Sequence, residues 1–234
     1  MPRRLLVLGS GGREHALAWR LANDPHRPEV VVAPGNAGIA KHFACRRVRD
    51  DDPAAVVELA RELAAELVVI GPEGALAAGV ADALRDADVP VFGPGRAAAR
   101  LETSKSAAKD VMREAGVRTA RARRVESLAD ALAALGDFGP PWVLKADGLA
   151  AGKGVLVTRE RAHAERFAHE CLESGRFGDS GRALLLESFL AGEEASVMAV
   201  CDGERHVLLP AARDYKRALN STTLAPSAPS IRPQ

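Results

Sequence analysis

The chain has 234 residues, 47% of them hydrophobic and 27% charged, the proportions of a globular protein and not of a disordered one. Lysine and arginine number 32 against 31 aspartate and glutamate, a formal net charge of +1, which excludes the strongly basic footprint of a nucleic-acid binder. Cys45, Cys171 and Cys201 are odd in number, far apart and without a CxxC pair, so no disulfide framework or zinc site is expected and a reducing cytoplasm is the expected compartment.

The opening MPRRLLVLGSGG sets basic residues before an apolar run, as a signal peptide does. The run LLVLG is too short for that role and reads as a first β-strand. No apolar stretch reaches the length of a membrane span. From RLLVLG the chain continues through a helical GGREHALAWRLAN, a strand EVVVAPG and a helix PAAVVELARELAAE. Asp52 is placed to cap that helix and Pro53 to open it. Then come LVVIGPE, a single helix GALAAGVADALRDAD, and VPVFGP. Strands apolar at every position, separated by amphipathic helices, predict a parallel sheet covered on both faces, a doubly wound α/β domain over residues 1–102.

Beyond this the pattern changes. SKSAAKDVMREAG and SLADALAALGDF read as helices, followed by strands WVLKAD and GVLVT, a helix ERAHAERFAHECLES, and strands LLLESFL, ASVMAV and HVLLP. Short strands joined by tight glycine turns predict an antiparallel sheet with helices on one side, an α+β layer over residues 103–217. Residues 218–234, LNSTTLAPSAPSIRPQ with the alanine before it, carry repeated Pro and Ser and read as an irregular tail.

Three loops of the first domain end on strands of one sheet. In LVLGSGGREHA, Gly9 and Gly11 match the start of a dinucleotide-binding GxGxxG, but Glu14 stands where the third glycine belongs. The second strand ends in APGNAG without the acidic residue that would hold a ribose, so an NAD site is disfavoured. What survives is a glycine turn at a helix N-terminus, suited to an anion, with Arg13 adding charge, or a turn needed only for packing. PGNAG (Pro34 to Gly38) and GPEG (Gly71 to Gly74) follow parallel strands and therefore open on the same edge of the sheet, where ligands of such sheets bind.

In WVLKADGLAAGKGVLV the Walker pattern fails twice. Asp147 stands where its first glycine should be, and Gly154 where its Ser or Thr should be. The remaining pattern is a Gly-Ala loop between two strands, with Lys145 fixed on the first strand and Lys153 on the loop. Such a loop can fold over a triphosphate; the bland reading is a hairpin turn. LLLESFLAGEEASV offers Glu187 at a strand end, then Phe189 and Leu190, then Glu193 and Glu194. These could supply the backbone edge, apolar faces and ribose carboxylate that a purine nucleotide needs, or be an ordinary strand and acidic turn.

Taken in order, GSGGREHALAW, APGNAG, GPE, SKSAAKD, LKADGLAAGKGV, LLLESFLAGEEAS and DYKRA strongly resemble the phosphoribosylamine-glycine ligase (glycinamide ribonucleotide synthetase) family of the ATP-grasp superfamily, over about Arg4 to Arg217. The resemblance implies an ATP-dependent ligation of glycine to 5-phosphoribosylamine through glycyl phosphate, in de novo purine synthesis, with Mg²⁺. It assigns Lys105 and Lys145 to the ATP phosphates and Gly148, Gly152, Lys153 and Gly154 to a flexible lid. Glu187, Phe189 and Leu190 are assigned to adenine, and Glu194 or Glu193 to the ribose. Gly11, Gly12, Arg13, Glu14, Asn36, Pro72 and Glu73 would line the phosphoribosylamine cleft, and Asp214 and Lys216 would lie near the reacting groups. The implied partners are small molecules, with no nucleic acid or membrane, and the implied state is a monomer.

After DYKR the family continues with a GDxGPNTGGMG-like stretch and, much later, a Glu-x-Asn pair that holds magnesium; this sequence contains neither. The expectation is a truncated copy with an incomplete ATP-grasp domain, its metal ligands in a missing half, and impaired activity. A non-catalytic nucleotide-binding module is the alternative. Another ATP-grasp carboxylate-amine ligase is disfavoured by GGREHA.

Overall fold

A computed structural model describes residues 2–150 and 153–213. The chain divides into two compact units, Met1–Val111 and Met112–Gln234. The division falls within one helix, Lys105–Glu114.

The first unit is built on a five-stranded parallel sheet. Its strands are β1 (Arg4–Gly9), β2 (Glu29–Pro34), β3 (Ala44–Cys45), β4 (Leu67–Ile70) and β5 (Val91–Phe92), in the order β3-β2-β1-β4-β5. The period-2 geometry of a strand sends alternate residues to opposite faces, and both faces are apolar here. Leu6, Leu8, Val31, Ala33, Val68 and Ile70 pack with Val56, Leu59, Val80 and Leu84. Leu5, Val7, Val30, Val32 and Val69 pack with Ala18 and Ile39 on the other side. The continuous apolar runs thus reflect a sheet sandwiched between helices.

The helices of this unit are α1 (Gly12–Ala22), α2 (Pro53–Glu62), α3 (Glu73–Ala78), α4 (Val80–Asp86), α5 (Arg96–Thr103) and α6 (Lys105–Glu114). Asp52 caps α2 by accepting a hydrogen bond from the Ala55 amide at 3.2 Å, with Pro53 at its first position. The helix expected over GALAAGVADALRDAD is broken instead at Gly79, whose φ of +87° ends α3 in the left-handed region that glycine adopts without penalty. The Arg96 side chain fills the space beside Gly79 and its guanidinium donates to the Ala78 carbonyl oxygen.

The second unit carries a four-stranded antiparallel sheet of β6 (Ala122–Val125), β7 (Trp142–Ala146), β8 (Val155–Thr158) and β9 (Leu184–Ser188), in the order β6-β9-β7-β8. Helices α7 (Leu128–Phe138) and α8 (Arg161–Leu172) supply Ala131, Leu135, Ala164, Phe167 and Ala168 to the core formed with Trp142, Leu144, Leu184 and Leu186. Trp142 donates its buried indole N–H to the Leu135 carbonyl oxygen at 2.8 Å. The alternate residues Val143, Lys145, Leu185 and Glu187 therefore lie on the other face of this sheet. The strands β10 (Ala199–Cys201) and β11 (His206–Leu208) form a separate hairpin, with Val200, Val207 and Leu208 exposed. No helix among the described residues is long and apolar enough to cross a membrane.

Candidate functional site

In the first unit, β1, β2 and β4 run parallel and finish side by side at Gly9, Pro34 and Ile70. The turns that follow them carry the predicted ligands, and the structure ties those turns to one another. The Gly35 amide donates to the Gly9 carbonyl oxygen at 3.1 Å. Asn36 donates its side-chain amide to the Ser10 carbonyl oxygen at 2.6 Å, while its Oδ1 accepts from the amides of Gly38 and Ile39 at 2.7 and 2.9 Å. Glu14 is buried, and its Oε2 accepts from the Gly11 amide at 2.7 Å. Arg13 reaches the Gly71 carbonyl oxygen at 3.4 Å and stands 4.0 Å from the Glu73 carboxylate; both side chains are exposed.

The side chains of Asn36 and Glu14 thus make intramolecular bonds within the turns, and Arg13 and Glu73 carry the charge on the exposed edge. Gly12 has open space where a Cβ would be, so its backbone can be approached closely. Pro72, in extended conformation, precedes the first turn of α3. Next to PGNAG lies a cleft of about 410 Å³ lined by Pro34, Asn36, Ala40, Cys45, Arg46 and Arg47. Sequence reading missed Arg46 and Arg47. Their available signal was an arginine pair between apolar residues in ACRRV.

In the second unit, Lys145 on β7 and Glu187 on β9 form an ion pair, Nζ to Oε2, at 2.9 Å. The register sets Val143 opposite Glu187 and Lys145 opposite Leu185, so the pair is a diagonal one on the face away from the helices. The carboxylate is 8% exposed and the lysine 27%. This leaves the ammonium open on one side while its partner is fixed. Asp147, at the root of the glycine loop, is almost buried and lies 3.5 Å from the Arg124 Nε on β6. The sequence pattern marks neither residue as a ligand, and Arg124 lies in a charged run that gives no strand signal.

The loop between β7 and β8 is anchored at several points. Ala146 and Gly154 close the hairpin with an amide-to-carbonyl bond of 2.7 Å, and the Asp147 amide donates to the Ala183 carbonyl oxygen at 2.9 Å. Ser180 donates its hydroxyl to the Leu149 carbonyl oxygen at 2.8 Å. A Cβ on Gly148 would collide with Ser180, and one on Gly154 with Ala150. These two glycines are therefore required by packing whatever else the loop does. Lys153 is exposed on the loop, and Gly152 lies outside the described residues.

Phe189 and Leu190 follow β9 and are exposed, 46% and 69%. Glu193 pairs with Arg213 at 2.9 Å, and Glu194 is exposed. Lys105 belongs to the first unit, where it opens α6. Asp214 and Lys216 lie outside the described residues. Among the described residues no group of three or more His, Cys, Asp or Glu side chains is gathered to hold a metal ion. Lys145 offers a cation held at a fixed point on a strand beside a loop of small residues, an arrangement able to meet a phosphate group.

Comparison with known proteins matches both units. Residues 3–102 fit the phosphoribosylglycinamide synthetase N domain, and residues 103–225 fit the phosphoribosylglycinamide synthetase ATP-grasp (A) domain. A phosphoribosylamine–glycine ligase of Leifsonia xyli is 52% identical over 218 residues, 93% of this chain and 51% of the relative. One of Caulobacter vibrioides is 48% identical over 214 residues, 92% of this chain and 50% of the relative. The crystal structure of a phosphoribosylamine–glycine ligase from Thermotoga maritima aligns with a TM-score of 0.79 at 33% identity, over 98% of this chain and 56% of that one. The chain thus spans about half the length of the curated relatives it matches.

Proposed function

The chain belongs to the phosphoribosylglycinamide synthetase family, and from that premise we propose that its two units serve the ATP-dependent joining of glycine to 5-phosphoribosylamine. ATP transfers its γ-phosphoryl group to the glycine carboxylate, giving ADP and glycyl phosphate. The amine of phosphoribosylamine then attacks the glycyl carbonyl, phosphate leaves with the bonding pair, and loss of the amine proton gives glycinamide ribonucleotide. No nucleophilic side chain is needed, since such a transfer is accelerated by positioning and by offsetting charge.

On this reading residues 1–102 hold the sugar phosphate, with Gly11, Gly12, Arg13, Glu14, Asn36, Pro72 and Glu73 around the cleft. Residues 103–217 hold the nucleotide, and the family match carries on to residue 225, into the segment that the sequence pattern sets apart as a tail. Lys105 and Lys145 meet the phosphates, the loop from Gly148 to Gly154 covers them, and Glu187, Phe189 and Leu190 frame the adenine. Glu194, or Glu193, takes the ribose, and Asp214 and Lys216 stand near the reacting carboxylate. Magnesium, when bound, offsets the charge of the β- and γ-phosphates. Its ligands are assigned to the part of the relatives that this chain does not span. By themselves the 234 residues are proposed to bind ATP weakly and to turn over little, in the reducing cytoplasm and as a monomer.

The observation that carries the nucleotide reading is the Lys145–Glu187 pair at 2.9 Å. A lysine already oriented on a strand loses little freedom when a phosphate arrives, whereas Lys153 must be ordered from a loop. By calorimetry, Lys145→Ala should weaken ATP binding at least about tenfold and Lys153→Ala only about two- to threefold. Equal losses, or none, would remove Lys145 from the site.

A further inference from the structure

Helix α1 directs two residues, Glu14 and Ala18, onto the sheet. They are four apart and hence on one stripe, and a carboxylate on that stripe is unusual. Glu14 is only 5% exposed. Its side chain lies across the ends of the adjacent parallel strands β1 and β4, so close to three glycines that a Cβ on Gly9, Gly11 or Gly71 would stand under 3.0 Å from it. The same carboxylate accepts the Gly11 amide at 2.7 Å, a charge-assisted bond at the positive end of the helix.

We propose that Glu14 is a positioning residue which locks the β1–α1 and β4–α3 turns into one cleft and selects a sugar monophosphate over a dinucleotide. The inference deepens the reading of this edge as the phosphoribosylamine site and rests on it. In a dinucleotide-binding turn the second glycine lets the backbone approach the pyrophosphate, and a small third residue lets the helix pack close against the strand. Here Glu14 stands at the third position, and its carboxylate lies against Gly11, the second glycine, takes its amide and repels a second anion there. The ligand phosphate is thereby left the open backbone at Gly12 and the guanidinium of Arg13. Because Glu14 contacts glycines from two different turns, it also sets their separation before any ligand arrives, which removes an ordering cost from binding.

The test uses the full chain and the variants Glu14→Gln and Glu14→Ala, with two independent readouts. Amide hydrogen exchange followed by NMR reports the Gly11 N–H directly, and calorimetry reports ribose 5-phosphate, NAD⁺ and ATP. Glu14→Ala should speed Gly11 exchange at least tenfold and weaken ribose 5-phosphate at least tenfold, while leaving ATP affinity within twofold. Glu14→Gln keeps an acceptor of the same length and should restore both to within threefold, but should bind NAD⁺ more tightly than the parent does.

A folded Glu14→Ala chain with unchanged Gly11 exchange would overturn the proposal. If that variant does not fold, Glu14→Gln decides, and fast Gly11 exchange in it would overturn the proposal. Failure of the parent itself to bind ribose 5-phosphate would refute the ligand reading of the cleft and the selectivity with it. The exchange data would still decide the lock.

Discussion

Cys171 illustrates how far one residue's chemistry depends on its neighbours. Its side chain is buried in the core under α8 and its Sγ–H points to the Gly181 carbonyl oxygen at 3.6 Å. Burial pushes its pKa up to about 11. At pH 8 only about one such thiol in a thousand is ionised, and the thiolate is the reactive form. Exposed Cys201 should therefore react first with a disulfide reagent, half-buried Cys45 more slowly, and Cys171 only after unfolding; mass spectrometry of partly modified chains gives the order. The folded thiol holds its proton more tightly than the unfolded one, so its contribution to stability is intact below about pH 9 and fades as pH rises toward about 11. Cys171→Ala should flatten that part of a stability–pH curve. Modification of Cys171 as fast as Cys201 in the native chain would show that the thiol is not shielded.

Legibility in the sequence also differs residue by residue. Glu14 could be placed near the turn, since it breaks the glycine pattern, yet its burial could not be read from its charge. The signal was there in the spacing, because Glu14 precedes the inward Ala18 by one helical turn. Asn36 was equally easy to place in its loop and equally hard to interpret. Its side-chain amide and carbonyl both bond to backbone groups of the turns, which a sequence does not reveal for a residue that is as common in ligand sites as in turns.

Among the elements, those that bury apolar residues at nearly every position were plain from sequence, and β1, β2, β4, β7 and β9 are of this kind. Strand β6 was not, because ARRV exposes two arginines on a sheet edge and owes its conformation to pairing with β9, a tertiary effect that outweighs local pattern. The two-residue strand β3 was too short to show a period, and the break at Gly79 was hidden because the apolar spacing continues through α3 and α4. Strand β7 also offers a test of how it is held to α7. The buried bond from the Trp142 indole to the Leu135 carbonyl oxygen joins the two elements. Trp142→Phe keeps most of the apolar bulk but removes the indole donor, leaving that carbonyl the longer bond of 3.4 Å from the Gly139 amide, at a cost of about 0.5–1.5 kcal/mol. Urea unfolding should show that loss with an unchanged slope, and an unaltered midpoint would mean the indole bond adds nothing to the one the Gly139 amide already makes.

At the scale of the whole molecule, each unit has its own interior. Among the described residues, the two apolar layers of the parallel sheet draw on residues before Met112, and the core of the antiparallel sheet on residues after it. Because burial of apolar surface is the main favourable term in folding, a unit that completes its own core should fold without the other. Residues 1–114, which keep α6 whole, should therefore unfold cooperatively in urea when expressed alone. If the cleft at the ends of β1, β2 and β4 is the sugar-phosphate site, the same fragment should bind ribose 5-phosphate. Since Arg13 is exposed, the attraction is screened, and binding should weaken several-fold between about 0.05 and 0.5 M salt. ATP should not compete, because Lys145 and the glycine loop are absent from the fragment. A fragment without a cooperative transition would show that the first unit depends on the second for its fold. A folded fragment that binds ribose 5-phosphate independently of salt would place the phosphate away from Arg13.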